Sequence, residues 1–227
     1  NIDLDTTKAG KVAENFKAVT DLKLTASDAT STIKVVGGKN IVAKAATTII
    51  IGEDTDATTA ATIEKVTIDN AGAGAGAGAT IGAAPQGSVD ALKELTVKNS
   101  TAGTVAVTTA VETLKVNLDN KSAGALKLTD AKLKTLNVDA SGKKSTVDFD
   151  TTSTILETLN ISGNAELILA ANSTVITDSN VKEINVTNTK GVTITTNALG
   201  NDVKFTGGTG ADSVVIGATT KAIAMGA

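Results

Sequence analysis

The chain contains no cysteine, histidine, tryptophan or tyrosine, and all 21 of its basic residues are lysine. Each absence removes a class of chemistry. The usual nucleophile–base pairs and imidazole metal ligands are missing, as are the guanidinium that clamps phosphates bidentately and the indole and phenol rings on which sugars or bases stack. Composition therefore argues against an enzyme. In a cytosolic protein a lack of cysteine carries no message, whereas in an extracellular one it means that repetitive hydrogen bonding, not disulfides, supplies stability. No apolar run approaches the ~20 residues that a membrane-spanning helix needs. With 227 residues, 41% of them hydrophobic, and a formal charge of −3, the chain is long enough for one sizeable core. It is too balanced in charge to point to nucleic acid or an anionic membrane surface. It opens at Asn1 without an initiating Met and is read as a piece of a longer protein.

What is present is a repeat. Leu133-Lys134-Thr135-Leu136-Asn137-Val138 returns as Leu92 to Val97, Val111 to Val116, Leu156 to Ile161 and Val181 to Val186, and Val19 to Leu24 and Ile63 to Ile68 share its form. The starts at 19, 63, 92, 111, 133, 156 and 181 are separated by 44, 29, 19, 22, 23 and 25 residues. A period near 22 is the signature of a solenoid. Within each copy the last three positions alternate as in a half-buried strand, Leu136 and Val138 to one side and Asn137 to the other. One such strand cannot bury its apolar face alone, but copies stacked ~4.8 Å apart make a continuous core. The expected architecture is a right-handed parallel β-helix with rungs of about 22 residues, a single domain, because parallel crossovers are almost always right-handed. About nine rungs would make a rod on the order of 45 Å long.

Taken in order, Lys8 to Ala18 reads either as a short capping helix with Val12 and Phe16 on one face or as an irregular rung. The step of 44 reads as two turns, with Ile33-Lys34-Val35-Val36, Ile41-Val42 and Ile49-Ile50-Ile51 as strands and Gly37-Gly38 and Gly52-Glu53-Asp54 as corners. The step of 29 reads as a loop inserted over residues 71–87, where Ala and Gly alternate from Ala71 to Ala79 and the only Pro follows. Elsewhere polar corners such as Asn99 to Gly103 and Asp119 to Gly124 lead into a second strand per rung, with a short third strand expected near Ser173 to Thr177. Thr113, Thr135 and Thr158 should form one ladder, and Asn137, Asn160 and Asn185 another. Leu95, Leu114, Leu136, Leu159 and Ile184 should make one buried row, with Val97, Val116, Val138, Ile161 and Val186 in a second. The alternative architecture is a horseshoe, since Leu-x-x-Leu-x-Val resembles the strand signature of leucine-rich repeats, although their Asn ladder is absent and the second strand reads as β.

One motif carries chemistry. Gly207-Gly208-Thr209-Gly210-Ala211-Asp212-Ser213-Val214-Val215 resembles the nonapeptide Gly-Gly-x-Gly-x-Asp-x-apolar-x of repeat-in-toxin (RTX) proteins. The likeness implies that Gly207, Thr209 and Asp212 supply oxygens of a calcium half-site. A rung of such turns takes about 18 residues, which sets the turn at Gly207 beside position 225, where Met225-Gly226-Ala227 stands. A half-site holds too few oxygens for calcium, so binding by these residues alone should be weak; tight binding that survived loss of Asp212 would point to Glu53-Asp54-Thr55-Asp56. As a whole the composition is similar to that of surface-layer (S-layer) proteins and large adhesins that Gram-negative bacteria export by type I secretion. That resemblance implies a bacterial cell-surface location outside the cell, self-association in a lattice or service as an adhesive stalk, and calcium-assisted assembly. It further implies contact with cell-surface polysaccharide through other parts of the protein. The competing reading is a polysaccharide lyase or hydrolase, with Asp148, Asp150, Lys143 and Lys144 as its nearest approach to a site; it requires a cleft holding at least two carboxylates.

Overall fold

The computed structural model describes the whole chain except residues 1, 7–11, 14–15, 17, 27–31, 45–47, 56–59, 71–77, 85, 102, 154, 171–172, 178–179 and 227, with backbone alone at 2–6, 12–13 and 195–197. In chain order the strands are β1 (Ile2–Thr6), β2 (Val12–Ala13), β3 (Asp21–Ala26), β4 (Thr32–Val36), β5 (Asn40–Lys44), β6 (Thr48–Gly52) and β7 (Lys65–Asp69). There follow β8 (Gly78–Ile81), β9 (Glu94–Lys98), β10 (Thr104–Thr109), β11 (Thr113–Asp119), β12 (Ala125–Asp130), β13 (Thr135–Ala140) and β14 (Ser145–Thr151). The last are β15 (Thr158–Gly163), β16 (Leu167–Leu169), β17 (Glu183–Val186), β18 (Val192–Ala198), β19 (Lys204–Thr206), β20 (Ser213–Val215) and β21 (Ile223–Ala224).

Odd-numbered strands form one sheet of 11 and even-numbered strands a second sheet of 10, every pairing between named strands parallel and joining a strand to the next of its own sheet. This is a parallel β-solenoid, with no helix among the described residues. The horseshoe alternative is corrected: the return path of each rung is a strand where a leucine-rich repeat would need a helix. Where Lys8 to Ala18 is described, Val12–Ala13 is a strand paired with β4, not a helix. The third strand expected near Ser173 to Thr177 is a turn held by amides of Thr174 and Val175 donating to the Phe149 carbonyl.

The two sheets turn alternate side chains toward each other, as in the burial pattern eBeBiB of β3 or iBiBiB of β13, and these meet in one apolar core. Leu114, Leu136, Leu159, Ile184 and Phe205 stack in one row. Leu22, Ile41, Val66, Leu95, Val116, Val138, Ile161 and Val186 make another. The expected rows are thus corrected at one end: Leu95 belongs with Val116 and Val97 with Leu118. A slip by two residues leaves every side chain on its own face, so alternation alone cannot detect it.

The step of 44 does contain two turns, Leu22 to Ile41 and Ile41 to Val66. The Ala/Gly stretch is corrected in part. Gly78–Ile81, expected within a loop, is β8, with Ala79 and Ile81 buried between the sheets. Its glycine is dictated by proximity, since a Cβ on Gly78 would lie 2.2 Å from the Thr104 carbonyl oxygen. The extra length of this rung falls after β8, where Glu53 and Gly87 form an antiparallel bridge, while residues 71–77 lie outside the described residues.

Outward side chains pair along the stack. Asn160 donates to Asn137 at 2.9 Å and Asn185 to Asn160 at 3.1 Å, and Thr113, Thr135 and Thr158 share a register. At the entry to the 11-stranded sheet charges alternate in sign along two runs, Lys39, Glu64 and Lys93 in one and Glu112, Lys134, Glu157 and Lys182 in the other, each residue joined to the next of its run by a backbone hydrogen bond, while the Lys93 carbonyl accepts from Lys115. The Glu64 carboxylate lies 3.0 Å from the Lys93 ammonium and 3.3 Å from that of Lys39, and the Lys93 contact leads in holding its pKa below the usual value. Deeper on the same face, Glu94 lies between Lys65 and Lys115 and accepts from Asn117 at 2.6 Å.

Candidate functional site

The Gly-rich motif occupies a corner where the chain leaves the 11-stranded sheet and enters the other. Gly207 follows β19 directly and Asp212 precedes β20. Phe205 pairs with Ile223 and Thr206 with Ala224, so Gly207 lies level with Met225 at the 18-residue spacing of the motif, and its amide donates to the Ala224 carbonyl at 2.6 Å. Three turns are pressed together here. A Cβ on Gly207 would lie 2.4 Å from the Met225 carbonyl oxygen, one on Gly210 2.1 Å from the Gly191 nitrogen, and one on Gly208 2.9 Å from the Asn188 carbonyl oxygen. None of the three motif glycines adopts a positive φ, unlike Gly191 above and Gly226 below. Backbone proximity between rungs is what requires glycine at these places.

Of the three candidate ligands, Thr209 is exposed and Gly207 and Asp212 are half-buried. Asp212 knits the corner: one carboxylate oxygen accepts from the Val192 amide at 2.9 Å and the other from the Gly208 amide at 2.9 Å. Calcium takes six to eight oxygens, and no group of three or more acidic side chains suited to a metal occurs among the described residues. Gly207, Thr209 and Asp212 bring one carboxylate to this corner, and it already has backbone partners on both oxygens. Glu53 is similarly engaged, accepting from the amides of Thr62 and Ile63 at 2.6 Å each.

The neighbouring rungs use other side chains at this corner, and the sequence reading missed them. Asn188 is fully buried; its oxygen accepts from Lys190 and Gly191 at 2.8 Å, while its amide donates to the carbonyls of Ser162 and Ala165 at 3.2 and 2.8 Å. Lys121 is also fully buried, its ammonium donating to the Gly103 carbonyl at 3.4 Å and to that of Ala123. It thereby ties two successive turns together. Burial pulls its pKa down to about 8, with the nearby Asp148 carboxylate opposing the shift. At the opposite corner Asp130, buried, accepts from the amides of Lys132, Leu133 and Val111, and burial raises its pKa. An Asn or Lys in a polar corner gives no sign of turning inward, because its partners are backbone groups of its own turn and of the adjacent rung, which no side-chain pattern marks.

Asp148 and Asp150 project from β14 beside Ala125 and Lys127 of β12, and Thr174 lies 3.4 Å from Asp150. An open depression of about 290 Å³ on the same sheet is lined by Thr48, Gly78, Ala79, Thr80, Gly103, Thr104 and Ala106, with no titratable side chain. Glycoside chemistry requires two carboxylates flanking one bond, and this depression offers none. No family model matches the chain, and no curated protein or solved structure matches it significantly.

Proposed function

We propose that this chain is a non-catalytic building block of a bacterial cell-surface layer, with service as an adhesin stalk as the nearest variant. The observation that carries the reading is the stack itself, in which outward side chains are engaged with their counterparts one rung away and give a stiff rod. Ten strand spacings in the larger sheet make it on the order of 48 Å long. The RTX-like turn supports an exported, extracellular protein, and the absence of cysteine accords with stability drawn from the ladder. Calcium enters this reading as an ion held where further turns of the same kind stack on Gly207 to Asp212, gripping successive rungs and so favouring the folded state.

Labelling intact source cells with an antibody to this chain tests the location; label on the outer surface is expected, and label confined to the interior overturns the proposal. Calorimetry tests the ion. This chain should bind calcium weakly, and a longer chain carrying additional turns should bind it and gain stability. Tight binding that survives Asp212→Ala moves the ion elsewhere.

A further inference from the structure

We propose that the outer face of the 10-stranded sheet, centred between β8 and β10, is a contact between two copies of this chain, packed face to face with their solenoid axes antiparallel. This deepens the building-block reading and rests on it for biological use.

The outward row across this face runs Lys34, Ile50, Thr80, Ala106, Lys127, Asp150. Its middle is uncharged, and so is the parallel row of Thr48, Gly78 and Thr104. The other sheet carries Lys65, Glu94 and Lys115 on its outer face in the same part of the stack. Across the middle of this face the side chains are uncharged and, Ile50 apart, small, which lets two sheets approach near the ~10 Å at which sheets pack.

Shape and charge then select one geometry. A twofold axis lying in the contact, parallel to the strands and midway between β8 and β10, sets β8 against β10 of the second copy, β6 against β12 and β4 against β14. The depression over Gly78 then faces the exposed Thr104 of the second copy, twice, as knob and hole. The notch is permanent, because a side chain at Gly78 is forbidden by the Thr104 carbonyl 2.2 Å from where its Cβ would be. The same axis sets Lys34 against Asp150 of the second copy, again twice. An axis along the solenoid would instead oppose Lys34 to Lys34 and Asp150 to Asp150, and like-charge juxtaposition is penalised. Such an interface is isologous and self-complementary. Five strand spacings by about 15 Å of strand give on the order of 400 Å² per copy, about half of what a stable complex buries. The dimer is therefore weak alone and effective when many copies are arrayed.

Sedimentation velocity from micromolar to millimolar concentration should show a monomer–dimer equilibrium. Thr104→Lys should weaken it at least tenfold without lowering the melting temperature. Lys34→Asp and Asp150→Lys should each weaken it, and the double variant should restore it. Because the chain lacks cysteine, a mixture of Thr80→Cys and Ala106→Cys chains should oxidise to the mixed disulfide in preference to either symmetric one. Association that persists through Thr104→Lys overturns this surface and leaves the building-block reading standing. A chain that stays monomeric to millimolar concentration, alone or while binding some other partner, also overturns it, and cell-surface labelling then judges the broader reading separately.

Discussion

Leu95 stands beside Val116, 21 residues further along the chain, and not beside Leu114, its counterpart in the repeated motif. The pairing brings Glu94 next to Lys115, where the motif alignment would have set Glu94 against Thr113. Opposite charges thus meet in the observed register, which apolar alternation by itself does not distinguish from the other.

That choice is measurable. In a double-mutant cycle on Glu94→Gln and Lys115→Gln the coupling should be favourable by about 0.5 kcal/mol, the usual size for a half-exposed pair. An unfavourable coupling contradicts the register. The Glu94 pKa is lowered chiefly by the Asn117 hydrogen bond, then by its lysines against an opposing effect of burial. Its contribution is therefore present above the ordinary value of 4.5 and lost as pH falls through the lower folded value.

Leu136 is wholly buried between Leu114 and Leu159. Leu136→Ala should cost about 2–5 kcal/mol by leaving a cavity, and Leu136→Asp should abolish the folded state by placing an unpaired carboxylate between apolar neighbours. A circular-dichroism melt unchanged in Leu136→Asp is incompatible with this core.

Lys121 gives the protein a distinctive alkaline limb. The folded chain releases this proton near pH 8, while the unfolded chain holds it to about 10.5. Between those values the unfolded state carries more protons, so stability rises with pH across the window. Below pH 8 both states are protonated and the full penalty, about 3 kcal/mol, applies. Lys121→Met should flatten the rise. At pH 7 the removed penalty outweighs the lost hydrogen bonds to Gly103 and Ala123, for a net gain of about 1 kcal/mol. Urea denaturation at pH 7 to 10.5 decides it; an equally steep rise in the variant would remove Lys121 as the cause.

Gly163 has φ of +114°, and a Cβ there would lie 2.0 Å from the Ala140 carbonyl oxygen one rung away. Gly163→Ala should cost more than about 2 kcal/mol, from backbone strain and a displaced ladder together. Gly200→Ala, where the nearest contact is the flexible Val203 side chain at 3.2 Å, should cost less than half as much. Equal thermal shifts in the two variants contradict this close stacking.

Rung length, strand alternation and the positions of most corners are legible along the chain, because these are local properties: period-two burial and the backbone freedom of Asn and Gly. Asn70, Asn99 and Asn120 do take positive φ of 60°, 53° and 58° at their corners. Equally legible are the Gly-rich turn and its 18-residue echo at Met225. Other features depend on contacts between residues a rung apart. The two-residue slip at Leu95 brings Glu94 and Lys115 together only once the rungs are stacked, and Gly78 opens β8 because the Thr104 carbonyl leaves no room for a Cβ. Asp212, Asn188 and Lys121 act on carbonyls and amides of their own and adjacent turns. Those backbone groups belong to every residue alike, so no side-chain pattern along the chain announces which of them a folded corner will present.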